Sequence, residues 1–204
     1  MLLFLDVISS IPEFFIIEDN KIILQRKITS NVSEKLSDNI FKVYLEINND
    51  LKLRENLRKV VITLGPGSYT SLRVGTAFIA GLVISKKLSV SYISAPEIIQ
   101  FKSEYFNKNN IAVFITSANK QQFICSTDNN KKIIYNKIEK ENFILQSNIE
   151  TIHYNDKLFK TNNKKIKQYK FSFIDELLSN YNKLRFSDNK ILKPIYISNN
   201  KLLN

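Results

Sequence analysis

The sequence predicts an α/β protein of two lobes, on three observations. Short apolar runs of strand length recur along the whole chain. From Val60 onward such runs alternate with stretches of helical period, and a strand–helix–strand–helix order requires parallel pairing with right-handed crossovers. All four glycines fall in one window, "VVITLGPGSYTSLRVGTAFIAGLVISKK" (Val60 to Lys87), where a strand runs into a helix. At 204 residues and 44% hydrophobic content, the chain can bury a real core as one large domain or two small ones.

The elements follow in order. "LLFLDV" (Leu2 to Val7) reads as a buried strand. Asp6 and Glu13 interrupt the apolar N-terminal stretch, and no basic segment precedes it, so two strands are a better reading than a leader peptide. "EFFIIED" and "KIILQRKI" form a hairpin about Asp19-Asn20, residue types that tolerate turn conformations. The period then becomes helical in "NVSEKLSDNIFKVYLEIN", with Asn31 as N-cap and Glu34 three residues on. Leu36, Ile40, Val43 and Ile47 line one face of that helix, and Phe41 and Leu45 sit off it. A helix apolar on two sides either lies deep in the fold or meets a partner.

Val60 to Leu64 is a near-continuous apolar run, as expected of a central strand. A helix from about Tyr69 to Lys87 follows, then the strand "LSVSYIS" and the helix "APEIIQFKSEYF", with Pro96 in its first turn. The polar "NKNN" at 107–110 marks a boundary, which gives an N-terminal lobe over 1–106 and a C-terminal lobe over 107–204. Beyond it "IAVFITS", "QQFICST" and "KKIIYNKI" read as a meander, and "EKENFILQSN" and "FSFIDELLSNYNKL" as helices. "KPIYISNNKLLN" closes the chain, a segment able to pack back on the N-terminal lobe.

The glycine window invites a phosphate-binding reading, because exposed N–H groups at a helix N-terminus attract anions. The residues do not support a standard nucleotide loop. Ser68-Tyr69 stands where a P-loop needs Lys-Ser/Thr, and Thr70 stands where G-x-G-x-x-G needs its third glycine. Gly65, Pro66 and Gly67 instead read as a tight turn, with Ser68 or Thr70 capping the helix that follows. Gly75 and Gly81 lie within that helix, where each costs roughly 1 kcal/mol relative to Ala. With Ala77 four residues before Gly81, they thin the helix for a close approach. The approaching surface is either the chain's own sheet or a second protein, and these residues leave both open.

The formal net charge of +11 raises nucleic-acid binding, yet the lysines are dispersed. The densest basic segment, Lys157 to Lys170, is interleaved with asparagines and reads as a solvated surface. No apolar run approaches the ~18 residues a membrane helix requires. The sole cysteine, Cys125, suits a reducing cytoplasm, and the sole histidine, His153, has no second histidine or cysteine near it in sequence. Neither residue assembles a nucleophile or a metal site.

"GPGSYTSLRVGTAFIAGL" resembles the glycine signature of the TsaB (YeaZ) family. The resemblance runs on through "LLFLDVISS", "SEKLSDNIFKVYLEI", "VSYISAPEIIQ" and "KPIYISN", which together span most of both lobes. It implies an actin/Hsp70-like (ASKHA) fold of two related lobes, each with a mixed sheet and helices. It also implies a non-catalytic scaffold that pairs with the catalytic subunit TsaD and with the ATPase TsaE, or with itself when TsaD is absent. The complex threonylcarbamoylates the adenosine beside the anticodon in tRNAs reading ANN codons. ATP and metal are then expected on TsaD and TsaE, with no cofactor on this chain, and tRNA is contacted through the complex.

Carried over from that family, Leu36, Ile40, Val43, Ile47, Gly75, Phe78 and Gly81 become interface candidates, and Gly65, Pro66, Gly67, Ser68 and Thr70 the turn and helix-cap signature. Ser71 departs from the pattern, as do Val7 and Ile8 after Asp6 and Ser117 in the second lobe. A kinase or ATPase of the same fold would need a glycine-bearing phosphate hairpin in each lobe. Residues 82–204 contain no glycine. Asp6 therefore reads as a structural acceptor rather than a magnesium ligand.

Overall fold

The computed structural model describes residues 1–9, 11–31, 33–98, 111–116, 122–127, 133–137, 150–154, 166–167, 172–188, 191–198 and 201–203. The first sheet combines β1 (Leu2–Asp6), β2 (Glu13–Glu18), β3 (Lys21–Lys27), β4 (Lys59–Thr63) and β5 (Ser89–Ile93) in the order β3-β2-β1-β4-β5. β1 runs antiparallel to β2 and parallel to β4, which is parallel to β5. Every residue of β1 is buried, as are Val60 to Thr63 of β4. That burial explains why both segments read as unbroken apolar runs rather than as alternation. β3 is the edge, and Lys21, Arg26 and Lys27 keep it exposed and charged, which discourages edge-to-edge pairing. The β2–β3 connection turns on Asp19 (φ 49) and Asn20 (φ 59), the left-handed pair that matches strand twist in a two-residue hairpin.

The helices are α1 (Leu36–Leu51), α2 (Leu53–Asn56), α3 (Tyr69–Lys86), α4 (beginning at 95 and described to 98) and α5 (Phe173–Ser179). α1 starts later than its predicted cap. Asn31 and Glu34 close a separate turn instead, in which Ser33 N–H donates to Asn31 Oδ1 (3.0 Å) and Ser30 N–H to Glu34 Oε2 (2.8 Å). These local side-chain bonds compete with helix, so Lys35 becomes an N-cap with no side-chain bond of its own. α1 and α3 end at Lys52 (φ 50) and Lys87 (φ 52), lysines in the left-handed conformation that glycine usually supplies. α4 opens with a capping box: Glu97 Oε2 accepts from Ser94 N–H (2.7 Å), and Glu97 N–H donates to Ser94 Oγ (3.3 Å).

A second sheet combines β6 (Ile111–Thr116), β7 (Gln122–Thr127), β8 (Ile133–Lys137), β9 (Glu150–Tyr154) and β10 (Ile166–Lys167) in the order β10-β9-β6-β7-β8. β6, β7 and β8 form the expected antiparallel meander, while β9 lies parallel to β6 and β10 parallel to β9. Strand for strand, and direction for direction, this repeats β1, β2, β3, β4 and β5. The two sheets are related by topology, although the sequence carries no repeat that reveals it. Cys125 falls on β7 and His153 on β9, opposite Phe114.

The last part of the chain returns to the first sheet. Phe173, Ile174 and Leu177 of α5 join the buried cluster formed by β1, β2, β4, α1 and α3. Val90 and Ser187 exchange both backbone hydrogen bonds (2.9 and 3.0 Å), and Ile195 N–H donates to Leu64 O (2.8 Å). Lys59 Nζ donates to Tyr181 Oη and stands 4.8 Å from the centre of the Phe186 ring. The helix expected over "FSFIDELLSNYNKL" stops at Ser179 and continues as a 3₁₀ turn at Tyr181–Lys183. β11 (Tyr196–Ser198) and β12 (Lys201–Leu203) form a terminal hairpin. The helix expected in "EKENFILQSN" and the boundary at 107–110 lie outside the described residues.

Candidate functional site

β4 delivers Leu64 into the glycine turn, and the chain itself fills the space around it. Gly65 has φ +111, and a Cβ there would stand 2.8 Å from the Ile195 carbonyl oxygen. A Cβ on Gly67 would stand 2.9 Å from Ile8 Cγ2. Gly65 O accepts from Ala95 N–H (2.9 Å), which ties the turn to the start of α4. Pro66 is buried. Ser68 caps α3, its Oγ accepting from Ser71 N–H (3.4 Å), and Thr70 lies exposed in the first turn. Beside the cap, the Tyr69 ring lies 4.6 Å from Tyr196, and the Arg73 guanidinium 5.4 Å from the Tyr69 ring centre. Sequence reading misses this cluster, because Tyr196 arrives from the far end of the chain.

Asp6, at the end of β1, is an internal acceptor. Oδ1 takes hydrogen bonds from Ile8 N–H (3.0 Å), Ser9 N–H (3.3 Å) and Thr63 Oγ1 (3.2 Å), and Oδ2 takes one from Ser9 Oγ. Thr63 Oγ1 in turn accepts from Val7 N–H (2.9 Å). Burial pushes the Asp6 carboxyl above its ordinary value, and these hydrogen bonds, Ser9 Oγ first, pull it partly back. No group of three His, Cys, Asp or Glu side chains among the described residues could hold a metal ion.

The interface candidates divide between two faces. Leu36, Ile40 and Ile47 are buried in this chain's own core, and so is Gly75. A Cβ on Gly75 would stand 2.7 Å from Val7 Cγ1 and 3.4 Å from Ile62 Cδ1. Gly75 thus lets α3 settle on its own sheet. Leu36, Ile40 and Ile47 form the inward stripe of α1. Val43 and Phe78 are half-buried. Gly81 is exposed with nothing within 4 Å of a Cβ, and Ala77, one turn before it, is exposed too.

The outward face of the two helices forms a groove of about 350 Å³, lined by Phe41, Tyr44, Leu45, Phe78, Gly81 and Leu82, with Arg54, Ser85 and Lys86 at its edge. Its floor is a packed aromatic cluster, in which Tyr44 meets Phe78 edge-on at 5.3 Å and both rings rest on Phe14, at 6.4 and 5.7 Å. Phe41 is 59% exposed, and Ile84 further along α3 is 84% exposed. Phe41 and Leu45, which the periodicity placed off the core stripe, are therefore the residues that open outward.

Among the described residues no helix is long and apolar enough to cross a membrane. No curated protein sequence matches the chain. Among solved structures, YeaZ from Pseudomonas aeruginosa is similar with a TM-score of 0.55 at 11% identity, over 74% of each chain. An uncharacterized protein with similarity to peptidase YEAZ, from the same organism, gives the same TM-score, identity and coverage. At that identity the likeness carries the fold. A family model described as TsaD, tRNA N6-adenosine threonylcarbamoyltransferase, matches residues 23–199. The chain belongs to the TsaD family, and its two topologically matched sheets are the actin/Hsp70-like (ASKHA) fold in its YeaZ form.

Proposed function

We propose that this protein is a TsaB-like, non-catalytic subunit that supports TsaD, together with TsaE, in threonylcarbamoylation of tRNA. The groove between α1 and α3 carries the reading. It is apolar and solvent-facing, and Gly81 lowers its wall so that a partner helix can come close. The features that would otherwise suggest nucleotide chemistry are engaged by the chain itself. Asp6 is hydrogen-bonded by Ile8, Ser9 and Thr63, and Ile8 and Ile195 crowd the glycine turn. Phe78 and Gly81 stay with this face as interface residues, joined by Phe41, Leu45 and Leu82, while Val43 packs against the chain's own core on the other flank of α1. The same face is the one a second copy would use when TsaD is absent. ATP and metal chemistry then belong to TsaD and TsaE, and tRNA reaches this subunit through the complex.

The test is co-elution with TsaD of the same organism on size exclusion, with wild type and a Gly81→Leu variant run side by side. The reading predicts a complex with wild type and none with the variant. Failure of wild type to bind, with or without TsaE and ATP, refutes it.

A further inference from the structure

The groove contains one polar atom whose environment is incomplete. Tyr44 is 4% exposed and its ring lines the floor, yet its buried hydroxyl has no hydrogen-bond partner among the described residues. A buried hydroxyl left unpaired carries a desolvation cost, which an acceptor supplied from outside would recover. Two cations, Arg54 and Lys86, line the same groove, and no carboxylate does. Neither forms an ion pair with a described residue. Lys86 Nζ donates to Leu53 O (3.2 Å), which leaves two of its three donors over. Burial pushes its ammonium below the ordinary lysine value, Arg54 and Arg58 push it further, and Glu55 alone opposes them. Arg54 also bears on Tyr44, where it opposes the upward push of burial on the phenol. Cations crowd one end of an apolar groove, beside an unused hydroxyl.

We propose that the groove receives an amphipathic helix bearing a carboxylate on its apolar face, which accepts hydrogen bonds from Tyr44 Oη, the Arg54 guanidinium and Lys86 Nζ. The inference rests on the groove being the partner site and names what that site selects. Apolar residues of the docking helix cover Phe41, Leu45 and Leu82. The carboxylate sets its register, because an acid one turn out of place would lie on bare aromatic surface. A second copy is the weaker occupant of the same face, held there only when TsaD is absent, because its α3 has no acidic residue over Tyr69–Lys86 to offer these donors.

The decisive variant is Tyr44→Phe, which keeps the ring against Phe14 and Phe78 and removes only the hydroxyl. Titrated with TsaD of the same organism, Tyr44→Phe and Arg54→Gln should each weaken binding roughly tenfold. The double variant should lose less than the product of the two, since both serve one carboxylate. The thermal midpoint of Tyr44→Phe should stay level or rise. A carbodiimide should join Lys86 to an Asp or Glu of TsaD, a product mapped by mass spectrometry and absent from Lys86→Arg. If Tyr44→Phe and Arg54→Gln bind as tightly as wild type while Gly81→Leu still abolishes binding, the groove stands and the carboxylate is refuted. If Gly81→Leu also binds normally, the groove reading falls and takes this inference with it. Loss of self-association alone, with TsaD binding intact, would show a second copy as the occupant and overturn the proposal.

Discussion

Leucine introduced at Gly81 and at Gly75 should produce opposite effects, although both glycines sit inside α3. Replacing glycine in a helix interior recovers somewhat less than ~1 kcal/mol when the new residue is Leu, and that gain is common to both sites. The surroundings decide the rest. At Gly81 nothing lies within 4 Å of a Cβ, so Gly81→Leu keeps the gain, and its thermal midpoint should rise by about 2–3 °C for a chain of this size. At Gly75 a Cβ already comes to 2.7 Å from Val7 Cγ1. Val7 cannot retreat, because it is 1% exposed and its N–H is held by Thr63 Oγ1 at 2.9 Å. Overpacking a core by a methylene or two costs about 1–3 kcal/mol, and a whole leucine exceeds that range. Gly75→Leu should therefore lower the midpoint by more than about 5 °C or prevent folding. Differential scanning calorimetry of the two variants reads this directly. A destabilised Gly81→Leu, or a Gly75→Leu as stable as wild type, would refute the assignment of the two faces.

Asp6→Asn tests the buried carboxyl. Its folded-state value lies above the ordinary 3.8, so the native state holds its proton longer than the unfolded state. Wild type then loses stability as pH rises from the unfolded value through the folded one, a loss that asparagine does not share. The stability of Asp6→Asn relative to wild type should climb as pH rises from about 3.8 and then level off. Thermal midpoints measured as a pH series check this, and a flat or falling difference would contradict it. Lys87→Gly should stabilise by about 0.5–1 kcal/mol, because glycine takes the φ 52 conformation freely while its looser unfolded chain offsets part of the gain. Ser68→Ala should cost about 1 kcal/mol through loss of the α3 cap, read by urea denaturation at unchanged m-value.

Local chemistry made much of the first lobe legible. Asp19-Asn20 announces its hairpin because few other residues accept left-handed φ twice in succession. β1 and β4 are recognisable as central strands because both of their faces are covered, which leaves no polar positions to interrupt the run. The three-strand meander is equally plain from its apolar runs and polar turns. The start of α1 was not legible, since Asn31 and Glu34 serve a turn as readily as a cap, and only the tertiary path selects between them. The relation between the two sheets was legible only through the family resemblance and not from an internal repeat, because topology constrains the path of the chain and not the identity of its residues.

The glycine window shows the division most clearly. The sequence by itself pointed to a tight turn at Gly65 and Gly67 and to a helix thinned at Gly75 and Gly81, because a chain with so few glycines spends entropy on each. It also determined that α1 has two apolar sides, through the stripe of Leu36, Ile40 and Ile47 and the offset pair Phe41 and Leu45. Which neighbour comes close was decided by the tertiary structure. Six residues along a helix turn the direction of approach through about 240°, so Gly75 and Gly81 cannot serve the same neighbour. Val7 and Ile62 claim Gly75, Ile8 claims Gly67 and Ile195 claims Gly65, each from another part of the chain. Gly81 alone of the four faces outward, because the sheet covers only one side of α3, and the apolar groove lies on the side it leaves open.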